Sequence, residues 1–376
     1  RYGATADAGA RFFLFHRARR WNARQGSWIG WERKRGKLHE LDRLLRGATD
    51  TAFVAMGGRP VTAPPGIRYV ITLDADTRLP VGSARALIGT IGHALNRAQL
   101  DSEGRVVEGY GVLQPRVSPT LPPSGKGSLY QWISAGPCGI DPYASAVSDV
   151  YQDLFGEGSY TGKGIYDVDA FEAALADRVP EDAILSHDLF EGVFARSGLV
   201  TDIAFFEEFP TNYQVAALRQ HRWARGDWQL LPWILGRRAA RVGYLGRWKM
   251  LDNLRRTLSP PAAVCALLAA WTLTSMPAVW TAFILTVIAL PALLPVLTEI
   301  VPQRRGVSKR SHARGLAVDL AKGLGHVALT VTLLADQAYL TTDAIVRTIV
   351  RLYGSGRRLL EWVTAAQSKA GAGLGL

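Results

Sequence analysis

From Thr257 to Thr298 the chain carries no charged residue. The run covers about forty positions, and about twenty apolar residues span the hydrocarbon core of a bilayer. Pro277 sits near its middle, so the pattern predicts two transmembrane helices over 257–300 joined by a tight turn, rather than one very long helix. Both flanks are basic: Arg237, Arg238, Arg241, Arg247, Lys249, Arg255 and Arg256 precede the run, and Arg304, Arg305, Lys309, Arg310 and Arg314 follow it. Lys and Arg favour the cytoplasmic side of short loops, so both ends are expected in the cytoplasm after an even number of crossings. The polar remainder of the chain is then a body on the cytoplasmic face of a membrane.

Charge agrees with that placement. Lys and Arg number 44 against 32 Asp and Glu, a net charge of +12. No helix-turn-helix, zinc-finger or RNP-type pattern accompanies it, so the expected partner is anionic lipid and not nucleic acid. The only cysteines, Cys138 and Cys265, are far apart, which gives no disulfide framework and suits a reducing compartment. The seven histidines form no HxxxH or HExxH pair, which argues against zinc-hydrolase chemistry. Residues 315–353 alternate apolar positions with Asp319, Lys322, His326, Asp336 and Asp343, the pattern of an amphipathic helix lying on a membrane surface. The tail at 370–376 is low-complexity and expected to be disordered.

The polar part reads as α/β. Leu38, Leu41, Leu44 and Leu45 have helical spacing, with Gly47 as a stop. The stretch holding Trp21, Trp28 and Trp31 is interrupted by glycines and reads as a loop. Ile67–Leu73 is a β-branched run, a buried strand. Helical spacing follows over 81–97, a second strand over 109–117, and a glycine-rich loop from Gly156 to Gly164. Alternating strands and helices make an α/β core. The expected organisation is a core over 1–235, a basic juxtamembrane segment over 236–256, the spans over 257–300, and a basic loop, surface helix and tail over 301–376.

Four places could carry chemistry. The strand at 67–73 ends in Asp74-Ala75-Asp76, two carboxylates able to share a hard cation such as Mg²⁺ or Mn²⁺ with a diphosphate. A solvated turn is the plain alternative. With Thr77 the same residues also match the DxDxT start of haloacid-dehalogenase-type phosphatases, in which Asp74 would be a nucleophile. Asp188, in ILSHDLFEG, opens a helical pattern; spacing alone favours an ordinary helix cap there, and a general base is the functional alternative. Arg219, Arg222, Trp223, Arg225 and Trp228 form a basic–aromatic cluster, suited to diphosphate and sugar or to lipid headgroups. The 156–164 loop has Glu157 where a Walker motif needs glycine, so it is a backbone-approach loop and not a P-loop.

The order of these signals is more telling than any one of them. Strand–DxD, an Asp at a helix start, RxxRW, then apolar helices resembles the family-2-like processive glycosyltransferases of GT-A fold, such as cellulose and hyaluronan synthases. Asp74 and Asp76 match DxD, Asp188 in Ser-His-Asp stands at the (T/E)-D position, and Arg219, Arg222 and Trp223 match (Q/R)xxRW. Leu113-Gln114-Pro115 is similar to the VQTP-type strand. The stretches Trp28 to Gly47, Tyr69 to Pro80, Gly162 to Phe171, Ile184 to Gly192 and Leu218 to Ile234 together resemble the glycosyltransferase domain of cyclic β-1,2-glucan synthases.

That resemblance implies a membrane-bound, inverting glucosyltransferase of a bacterial inner membrane, using UDP-glucose and a growing glucan as acceptor. Asp74 and Asp76 would hold Mg²⁺ or Mn²⁺ on the donor diphosphate, with Arg219 and Arg222 beside it. Asp188 would be the base, Arg222 would stabilise the departing charge, and Trp223 would floor the acceptor site. A related synthase of different linkage and a membrane-tethered DxDxT phosphatase are the alternatives. The family also has an Asp upstream of DxD on the nucleotide-binding strands. Asp7, Asp42 and Asp50 do not supply it, so a GT-A core truncated at its N-terminal side is expected.

Overall fold

The computed structural model describes residues 12–57, 60–120, 127–135, 146–301 and 308–362. Asp7, Cys138, Arg304, Arg305 and the 370–376 tail, on which expectations were placed above, lie outside them. The chain divides into two compact units: Arg1–Val117, Asp141–Phe206 and Arg351–Glu361 form the first, and Ser118–Ile140, Glu207–Val350 and Trp362–Leu376 the second. The boundary drawn at 235 from sequence thus falls inside the second unit.

In the first unit the tryptophan-rich stretch is a hairpin, not a loop. Strands β1 (Arg20–Asn22) and β2 (Ser27–Ile29) pair antiparallel with Trp21 opposite Trp28. Gly26, at φ 62°, closes the turn by donating its N–H to the Asn22 carbonyl. Helix α1 (Arg33–Leu45) follows, and Gly47 at φ 90° ends it, as only glycine does cheaply. The expected strand and its continuation are β3 (Tyr69–Thr72) and β4 (Thr77–Arg78). The expected helix over 81–97 is shorter, α2 (Ser83–Gly92), followed by a single 3₁₀ turn at Ala94–Asn96. A small hairpin, β5 (Gln99–Leu100) and β6 (Val106–Glu108), leads to β7 (Val112–Thr120). After α3 (Leu129–Ser134), which belongs to the second unit, come α4 (Ala146–Phe155), β8 (Gly164–Asp167), α5 (Val168–Leu175), α6 (Asp188–Phe194) and β9 (Ser197–Glu208).

Five strands form one sheet in the order β3-β8-β7-β9-β4. Strand β8 is central to its register: Ile165 faces Ile71 on β3 and Leu113 on β7, antiparallel to both. Leu87 and Ile91 of α2 cover this sheet, closing a core with Leu113, Ile165, Val200, Ile203 and Phe205. Each such burial is worth about 1.5–3 kcal/mol. The core holds β3 rigidly, so its carboxyl end is a fixed platform. The chain is therefore a mixed α and β protein, as its pattern of elements predicts.

The second unit is helical: α7 (Tyr213–Trp228), α8 (Leu231–Ile234), α9 (Tyr244–Leu273), α10 (Pro277–Thr298), α11 (Lys309–Thr332) and α12 (Leu334–Val350). The apolar run breaks where Pro277 predicts, since α10 begins with it. Its two halves differ, however. Helix α10 exposes Val279, Trp280, Phe283, Val287 and Leu290 and is long and apolar enough to cross a membrane. The apolar half of α9 is continuous with a charged half. Among the described residues, α10 is the one single helix with the length and composition of a span, in place of the expected two. The segment expected as one surface helix over 315–353 is two helices bent by 61°. Two of the charges interrupting it are engaged on α7, where Tyr213 donates to Asp336 at 2.6 Å and His221 pairs with Asp343 at 2.8 Å.

Candidate active site

Asp74 follows the end of β3 in a tight turn. Its carbonyl accepts from the Thr77 N–H at 3.0 Å, and its own N–H donates to Thr77 Oγ1 at 3.2 Å. This double closure aims two carboxylates off one sheet end, and it gives Thr77 a structural task. One carboxylate oxygen of Asp74 and one of Asp76 lie within 4.8 Å of each other.

A residue without any sequence signal completes this corner. Lys34, in the first turn of α1, donates to Asp74 Oδ1 at 2.7 Å and to the Gly162 carbonyl at 3.0 Å. Lys163 pairs with Asp74 Oδ2 at 3.5 Å. Burial opposes the charge of Asp74, but the two lysines outweigh it and hold the carboxyl below its ordinary value. Burial likewise opposes the charge of Lys34, and Asp188 and then Asp74 outweigh it, so the ammonium titrates above its ordinary value.

The glycine-rich loop is built to meet Asp188. Gln114, fully buried on β7, accepts from the Thr161 N–H at 2.8 Å and from its hydroxyl at 3.1 Å, which is the task of the Leu113-Gln114-Pro115 stretch. Tyr160, buried in the same loop, shares a 3.0 Å hydrogen bond with Thr72 at the end of β3, and burial keeps its phenol protonated far up the pH scale. Gly162 adopts φ +83°, and a Cβ there would stand 2.5 Å from Asp188 Oδ1. The loop backbone can therefore pass against Asp188 only as glycine.

Asp188 is the first residue of α6 and not its cap; that position is His187. Its Oδ1 is buried and accepts no hydrogen bond among the described residues. His187 Nδ1 lies 3.5 Å from Asp188 Oδ1 and 2.7 Å from Glu191 Oε1. These three groups bring ligand atoms within 4.8 Å, a spacing open to a cation, and the shortest contact among them is the 2.7 Å pairing of His187 with Glu191.

The remaining sequence-predicted residues lie on α7 in the second unit. Asn212 caps that helix, accepting from the Val215 N–H at 3.0 Å. Arg219 pairs with Glu207 at 3.5 Å and stacks on Trp223, its guanidinium 5.7 Å from the ring centre. Arg222 stands 5.0 Å over Trp362. The i, i+3, i+4 spacing puts Arg219, Arg222 and Trp223 on one face. Asp42, considered above for a nucleotide role, is instead buried in α1, where Tyr166 donates to it at 2.8 Å.

No family model matches the chain. It is 48% identical over 364 residues, 96% of its length, to the cyclic beta-(1,2)-glucan synthase NdvB of Rhizobium meliloti (strain 1021). The chain is a cyclic β-glucan synthase-related region. It spans 13% of the length of that relative. Together, a glucan synthase relative and a span-length apolar helix point to membrane association.

Proposed function

We propose that this region transfers glucose from UDP-glucose to a growing β-1,2-glucan, with inversion, at the site that joins Asp74, Lys34, Gly162 and Asp188. The observation that carries the reading is that one lysine bridges the DxD carboxylate and the loop packed on Asp188. A carboxylate pair for the donor and a separate carboxylate for the acceptor are then tied into one corner. The β-1,2-glucan product is drawn from the relative's name and from the family resemblance, the UDP-glucose donor from that resemblance alone, and the GT-A assignment rests on the strand–DxD order.

Asp188 is the candidate general base: its side chain is 28% exposed, so the carboxylate can meet an acceptor, while its Oδ1 is buried against backbone and accepts no hydrogen bond among the described residues. It takes the proton of an acceptor hydroxyl as that oxygen bonds to the anomeric carbon. The bond from that carbon to the diphosphate oxygen breaks, and UDP leaves from the opposite face. The oxygen-only pair of Asp74 and Asp76 fits Mg²⁺ or Mn²⁺, with Asp76 leading as the motif implies. Such a cation would neutralise diphosphate oxygens, and Lys34 and Lys163 add positive charge at the same place. The motif assigns Arg222 and Arg219 to the departing diphosphate and Trp223 to the acceptor sugar. Asp188→Asn is expected to cut transfer by about 10²–10⁴-fold while UDP-glucose still binds. Near-normal turnover in that variant would remove Asp188 from the mechanism.

A further inference from the structure

Beneath Asp188 lies an ionisable pair that the transfer step above does not use. His187 is 6% exposed and Glu191 1% exposed. His187 Nδ1 is 2.7 Å from Glu191 Oε1 and 3.5 Å from Asp188 Oδ1, so one ring nitrogen faces two carboxylates on the same turn of α6. A buried carboxylate such as Glu191 is costly without a compensating charge. His187 does not cap α6 with its side chain, so helix capping does not account for it.

We infer that His187 and Glu191 are positioning residues for Asp188, forming a Glu191–His187–Asp188 array in which a buried imidazolium holds the base ionised and aimed at the acceptor. The inference deepens the glucosyltransferase reading and rests on it for the role of Asp188. Burial alone would push the His187 imidazole down, but Glu191 and then Asp188 outweigh it, so His187 titrates above its ordinary value. Lys34 of α1 opposes that shift, and the Tyr160 phenol faces both Glu191 and Asp188.

The test is the pH profile of kcat/KM for transfer. In His187→Gln the acid limb is expected to move upward by about one pH unit, as for loss of one cation beside a carboxylate. The double variant H187Q/E191Q removes the buried anion too and is expected to recover part of that shift. A merely structural role would lower activity at all pH values equally, and an unshifted acid limb overturns the proposal. A second measurement needs no catalysis: nitrogen-15 histidine NMR of the whole protein in detergent. His187 is expected to stay protonated above the usual histidine range, to do so in Asp188→Asn, and to fall back in Glu191→Gln. An ordinary His187 titration overturns the array whatever Asp188 does. So does loss of that titration on adding one equivalent of Zn²⁺, which would make the cluster a metal centre. An active Asp188→Asn variant with a raised His187 would instead fault the assignment of Asp188 as base.

Discussion

Gly162→Ala tests the packing of the loop on the base. A Cβ at 162 would stand 2.5 Å from Asp188 Oδ1 and 2.7 Å from its Cγ, where ordinary contact begins at 3.4 Å. Either the loop or the carboxylate must give by about 1 Å, and a misplacement of that size costs about 10²-fold in rate. Positive φ adds backbone strain of roughly 1–2 kcal/mol. Gly156 separates the two effects. It too has positive φ, +65°, but a Cβ there meets only the Arg196 guanidinium at 3.5 Å. Glucose transfer by membrane preparations, measured beside thermal stability, should show Gly162→Ala far below Gly156→Ala in kcat, with similar melting temperatures. Equal kcat losses would refute the argument, because strain alone would then explain both.

Two further outcomes follow from the same geometry. Asp42, buried and bonded to Tyr166, has its carboxyl pushed up to about 8, chiefly by burial. The folded state then binds more protons than the unfolded state between about pH 4 and 8, so this group's contribution falls as pH rises through that window. Asp42→Asn keeps a neutral acceptor for Tyr166 and should gain on the wild type across it, by at most about 6 kcal/mol; parallel denaturation curves at pH 5 and pH 8 check this. For topology, α10 is the span, so in a chain with Cys138 and Cys265 replaced, Ser275→Cys and Arg310→Cys should react with an impermeant maleimide from opposite sides of the membrane. Labelling of both positions from the same side would refute α10 as a crossing.

What the sequence made legible is what local pattern encodes. The β-branched run before Asp74 is β3, Asp188 does begin a helix, RxxRW lies on one face of α7, and Pro277 does start a new helix. What it hid are contacts between distant segments. Lys34 reaches Gly162 across 128 positions, and nothing in a basic, leucine-spaced helix marks one lysine among its neighbours. Gly162 is one of several glycines in its loop, and only the folded backbone shows which one faces a carboxylate. The tryptophans at 21 and 28 looked like loop because strands of three residues leave almost no alternation to read. Asp336 and Asp343 looked like solvated charges on a surface helix because their partners, Tyr213 and His221, lie more than a hundred positions away.

The central claim is that this site moves glucose from a nucleotide sugar onto a glucan. The most direct measurement is incubation of membranes holding the protein with radiolabelled UDP-glucose and Mg²⁺ or Mn²⁺, followed by methylation analysis of the labelled polymer. The account predicts β-1,2-linked glucose, formed by the wild type and absent from Asp188→Asn. Polymer of another linkage, label from a different sugar nucleotide, or equal incorporation by the variant would contradict it.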